Sequence, residues 1–80
     1  MKRQSVLRDT TQALPQWTPE QIYKLRCHLG FSQERLAEEL TMRRPTVTDW
    51  ENRKKVPHRS SRLALTLLAR KGRFSLGENT

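Results

Sequence analysis

The sequence predicts an all-α fold: one compact bundle of four or five short helices. Three observations predict it. Apolar residues recur three and four apart, as in Ile22, Leu25 and Leu29, in Leu36, Ala37 and Leu40, in Val47 and Trp50, and in Leu63, Ala64, Leu67 and Leu68. Helix punctuation falls between these groups: Thr18-Pro19-Glu20-Gln21, Gly30, Ser32, Pro45, Pro57 and Gly72. Eighty residues, 34% of them apolar, with a mean hydropathy of −0.88, allow a single small core.

Residues 1–17 carry Lys2, Arg3 and Arg8 with scattered apolar positions, and are expected to form a mobile basic arm. A short helix from Ser5 to Leu14, ending at Pro15, is the alternative. The folded domain is placed at 18–72. Thr18 is an N-cap, Pro19 sits at N1 where its missing N–H costs nothing, and Gln21 completes a capping box. Gly30 stops this first helix in the left-handed conformation. Phe31 precedes the next N-cap, Ser32, and a second helix runs to about Leu40. Proline belongs to a first turn, so Pro45 sets the start of the third helix, which spans Arg44 or Pro45 to Asn52. The basic loop Arg53-Lys54-Lys55-Val56 closes at Pro57. A fourth helix begins near Ser60 or Ser61 and ends at Gly72, and 73–80 is read as a tail.

Sixteen Lys and Arg against eight Asp and Glu give +8 and a pI near 10.9, a balance that points to a polyanionic partner. One cysteine, Cys27, excludes an internal disulfide and fits a reducing cytosol. No apolar run approaches eighteen residues and no signal-peptide core follows the basic N-terminus, so a cytoplasmic protein is expected, with no membrane partner. His28 and His58 have no third ligand, and no nucleophile–base pair or phosphate loop is present. No metal, no cofactor and no enzymatic activity are expected.

The stretches I-Y-K-L-R-C-H-L-G-F-S-Q-E-R-L-A-E-E-L and T-V-T-D-W-E-N, followed by a basic loop ending in proline, resemble the Cro/repressor-type (XRE-like) helix-turn-helix family over Ile22 to about Leu68. The resemblance implies a phage-repressor-like DNA-binding domain, with the third helix in the major groove of double-stranded DNA and the second across the backbone. It implies a bacterial or phage transcriptional regulator, most simply a repressor. It also implies a buried ion pair between Arg26 of the first helix and Glu51 of the third. Three positions depart from the family pattern. Thr41 and Arg53 stand where glycine is usual. A β-branched residue at positive φ costs on the order of 1–2 kcal/mol, which leaves the turn at Thr41 open to reshaping. After the third helix, Asn52 is the candidate for the left-handed position. Pro45 stands where a small polar residue is common and offers no donor to a base.

Gln33 opens the second helix, where helix-end N–H groups and a side-chain amide meet a phosphate; a solvated first-turn glutamine is the plainer reading. Arg44 can fork onto guanine O6 and N7 or merely clamp a phosphate, and Arg43 is read as a phosphate contact. Asp49 points outward with Pro45. There it accepts from cytosine N4 or, by preference, pairs with Arg44 or Arg53. Thr48 can meet a thymine methyl or a phosphate, and Thr46 and Asn52 complete the candidate surface. Arg53, Lys54 and Lys55 supply salt-dependent affinity. Two half-sites need two copies, so a homodimer is expected, with Leu65, Phe74 and Leu76 as surplus apolar groups for its seam. The competing reading is a protein-interaction module, an antitoxin or accessory subunit bound to a toxin or regulator; Pro45 and Thr41 favour it.

Overall fold

Among the described residues four helices follow one another: α1 (Pro19–Leu29), α2 (Gln33–Glu39), α3 (Arg44–Glu51) and α4 (Arg59–Lys71). The structure is a computed structural model and describes residues 14–75. Residues 1–13 of the arm expected at 1–17, and the position of Leu76, fall outside the described residues.

The first two helices start on side-chain caps. Thr18 Oγ1 accepts from Gln21 N at 3.2 Å and Gln21 Oε1 accepts from Thr18 N at 2.9 Å, a closed capping box. Ser32 Oγ accepts from Arg35 N at 3.0 Å. The last two lack such caps: Arg43 and His58 occupy the N-cap positions without a side-chain capping bond. Pro45, in the first turn of α3, supplies a pre-set φ in place of a cap.

All four helices end the same way. The residue after the C-terminal cap or turn enters the left-handed region, and two crossed backbone bonds close the motif. In α1 that residue is Gly30 (φ 71), with Gly30 N bonded to Cys27 O and Phe31 N to Arg26 O. In α2 it is Thr41 (φ 58): the turn is kept, not reshaped, and Met42 N reaches Ala37 O at 2.8 Å. In α3 it is Arg53 (φ 65), while Asn52 stays at φ −93, so the arginine itself takes the strained position. In α4 it is Arg73 (φ 58), one residue past Gly72. Gly72 serves a different need: a Cβ there would run into the Leu29 side chain of α1. Phe31, Met42 and Phe74, which follow three of these turns, pack against the core. Their burial offsets left-handed strain at Thr41 and Arg73.

The core is built from Trp17, Ile22, Leu25, Leu36, Ala37, Leu40, Val47, Trp50, Leu65 and Ala69. Trp17 is almost wholly buried, so the core extends one residue above the Thr18 boundary. Leu65 is fully buried, and Phe74 packs against the core beside His28, their ring centroids 5.2 Å apart. Leu65 is therefore not available for a dimer seam, whereas Phe74 is half-buried. The face of α4 expected to be buried is rotated: Ser61, Leu65 and Ala69 point inward, whereas Leu63 and Leu67 are 47% and 54% exposed. Two bonds outside the leucine pattern fix that rotation. Trp17 Nε1 donates to Thr66 Oγ1 at 3.0 Å, and Thr66 Oγ1 donates to Arg62 O at 2.8 Å. His28 Nε2 donates to Gly72 O at 2.7 Å, tying α1 to the end of α4.

One ion pair sets α3 against α1. Arg26 Nε and Nη2 fork onto Glu51 Oε2 and Oε1 at 2.7 and 3.0 Å, and Arg26 Nη1 donates to Phe31 O at 3.1 Å. The two side chains are 15% and 9% exposed. Bidentate geometry with a third bond to a carbonyl is the form in which a desolvated pair is compensated. The Glu51 carboxylate raises the Arg26 pKa further above its ordinary value, against the opposing effect of burial.

Two stability predictions follow from these features. Removing one member of the pair, as Arg26→Met or Glu51→Gln, strands its partner and is expected to cost about 3–5 kcal/mol in chemical denaturation. Relieving the turn, as Thr41→Gly, is expected to stabilise by about 1 kcal/mol and raise the thermal midpoint by about 4–8 °C. An unchanged midpoint for Thr41→Gly would mean that Thr41 carries no strain.

Candidate nucleic-acid interface

Helix α3 has two faces. Val47 and Trp50 are buried, and Glu51 lies with them on the Arg26 side. On the other side Arg44, Pro45, Thr48 and Asp49 line one shallow, open hollow. Asn52 is exposed one helical turn beyond Thr48 and Asp49. Thr46 does not join this face: it is half-buried and lines a separate cleft with Trp50, Lys55, Val56, His58 and Ser61. The separation follows from the helix itself, because consecutive residues stand about 100° apart.

The side chains of this face are already committed to different degrees. Thr48 Oγ1 donates to Gln33 Oε1 at 2.8 Å, and Gln33 Nε2 donates to Glu51 Oε1 at 3.1 Å. The Gln33 amide is thus used in both directions. Its role is to carry the order of the Arg26–Glu51 pair through α2 to the outer face of α3. One N–H of its amide and the lone pairs of Thr48 Oγ1 remain able to make a further hydrogen bond.

Asp49 pairs with neither Arg44 nor Arg53. Its nearest cation is Lys55, Nζ to Oδ2 at 3.9 Å, and its backbone carbonyl accepts from Lys54 N at 2.8 Å. Arg53 is held by Glu20 of α1 in an exposed ion pair. The sequence gives no local signal for Glu20: the start of α1 and the end of α3 meet only through the tertiary fold, around a hollow lined by Pro19, Glu20, Tyr23, Lys24, Glu51 and Asn52. Arg43, Arg44 and Lys54 are exposed, and among the described residues no carboxylate pairs with them. Three uncompensated cations therefore flank the α3 face, two at its N-terminal end and one beyond its C-terminal end.

Among the described residues no group of three or more His, Cys, Asp or Glu side chains could hold a metal ion. Cys27 is a free, exposed thiol, in contact with Tyr23, whose pKa it raises chiefly through a hydrogen bond between the two side chains. No described helix is long and apolar enough to cross a membrane.

No curated protein and no solved structure matches the chain closely enough to count as a relative. One family model does match: helix-turn-helix, over residues 22–60. That span begins on the α1 core face at Ile22 and ends in the first turn of α4, so it contains all of α2, the turn and α3. A fold of this kind confers a capacity for DNA binding. With Arg26–Glu51 clamping α3 and the turn at Thr41 intact, residues 22–60 match the helix-turn-helix family, of the XRE-like type.

Proposed function

We propose that the protein is a sequence-specific double-stranded DNA-binding transcriptional regulator, most simply a repressor, with α3 in the major groove. The observation that carries this is the juxtaposition on one side of α3: the half-buried Thr48 and Asp49 and the exposed Asn52 as readers, flanked by the unpaired Arg43, Arg44 and Lys54. Phosphate contacts from the flanks fix register, and the side chains between them read base edges. In this assignment Arg44 reads guanine, Arg43 and Lys54 hold phosphate, and Gln33 positions Thr48 while turning its remaining N–H to the backbone. Arg53 and Lys55 contribute after exchanging Glu20 and Asp49 for phosphate. Thr46 lies at the margin, in reach of a phosphate only. Pro45 offers the duplex its ring face, against a thymine methyl.

A domain of this size reads few base pairs, so we propose that two copies occupy adjacent half-sites about one helical turn apart. Such a regulator works in the cytoplasm of a bacterium or on a phage genome. The protein-partner reading drew on Thr41 and Pro45. Thr41 retains the left-handed turn, and Pro45 alone gives that reading little.

Selection of bound duplexes from a random pool tests the proposal directly. A recovered, roughly two-fold-symmetric site is the expected result, and an unenriched pool would overturn it. With that site in hand, Arg44→Ala is expected to flatten discrimination at one base pair by about 1–3 kcal/mol. Lys54→Ala is expected to weaken every duplex alike and to lower the slope of log K against log salt by about one. Equal, sequence-independent losses in both variants would reassign Arg44 to a phosphate.

A further inference from the structure

Helix α4 carries an exposed stripe that the fold does not use. Leu63, Leu67, Arg70 and Lys71 stand at i, i+4, i+7 and i+8, the spacing of one helical face. Leu63 and Leu67 are 47% and 54% exposed, and Arg70 and Lys71 are exposed at the C-terminal end of the same face. The opposite side, Ser61, Leu65 and Ala69, is buried in the bundle. Two leucines in line are more than scattered surface apolar groups, because they adjoin each other on one turn and end against two cations.

We infer that this face of α4 docks a second protein through an acidic amphipathic helix, two apolar side chains of which cover Leu63 and Leu67 while its carboxylates meet Arg70 and Lys71. Charge decides the occupant. Arg59–Lys71 contains no acidic residue, so a second copy of α4 has nothing to offer Arg70 and Lys71. Laid parallel, two copies would also bring like cations side by side. An acidic partner removes both conflicts. The stripe lies on the side of α4 turned away from the core and uses none of the residues of the α3 face, so partner and duplex need not compete. The inference does not depend on the DNA-binding reading.

The test uses the full 80-residue chain and a labelled synthetic helical peptide of about fifteen residues, with leucines at i and i+4 and glutamates around them. Fluorescence anisotropy is expected to show saturable binding by the wild type. Leu63→Ser with Leu67→Ser is expected to weaken it at least about tenfold, as is Arg70→Gln with Lys71→Gln, while Arg44→Ala leaves it unchanged. Circular dichroism checks that the exposed substitutions leave the helices intact. A control peptide of the same composition, with its leucines moved to opposite faces, is expected to bind at least about tenfold more weakly. Equal binding of that control would reduce the effect to bulk charge and overturn the inference. So would unchanged binding by the leucine variant. A wild-type dimer in sedimentation that the leucine variant abolishes would assign the face to a second copy instead.

Discussion

The bidentate pair between Arg26 and Glu51 is the constraint on which the interface depends. It is the point at which α1, the Phe31 turn and α3 are fixed together, and Gln33 extends it into α2. A helix of eight residues has few core contacts of its own; Val47 and Trp50 are the buried apolar groups of α3. Packing at two positions leaves the helix free to roll about its axis, whereas a forked bond to Glu51 does not. The cost of desolvating this pair is thus spent on orientation more than on net stability.

The helix ends show how far a short chain departs from glycine at left-handed positions. Gly30 follows the rule, but Thr41, Arg53 and Arg73 each adopt φ near 60° with a Cβ in place. Two of them are followed by an apolar residue that buries itself, Met42 and Phe74, and the backbone bonds of the motif are formed in every case. Local conformational cost is outweighed by tertiary packing there. After α3 the compensation differs: Lys54 is exposed, and the Arg53 side chain is engaged by Glu20.

Much of this fold was legible in the sequence because its helix boundaries are marked by chemistry. Thr18, Gln21, Gly30, Ser32 and Pro45 each occupy the structural role that their residue type favours. The rotation of α4 was not legible. Leucines and alanines at 63, 64, 65, 67, 68 and 69 satisfy more than one inward face, and periodicity cannot choose among them. The choice is made by Trp17 and Phe74, which lie outside the helical repeats and grip α4 at Thr66 and near Gly72. Reading at the site met a similar limit. The outer face of α3 follows from helical spacing, but the partners of Asp49, Arg53 and Gln33 depend on where α1 and α2 come to rest.

The Glu20–Arg53 contact changes what the charge of +8 means. Arg26, Arg35, Arg53 and Lys55 each face a carboxylate within the fold, while Arg43, Arg44 and Lys54 do not. At a distance an anion responds to the net excess, and the whole molecule attracts it. At contact it meets a mosaic in which some cations must first leave an internal partner. In the proposed complex, Glu20 and Asp49 would then face the phosphates as bare carboxylates and repel them. Long-range capture and final docking therefore draw on different sets of side chains, so that removing an acid at position 20 alters the second far more than the first.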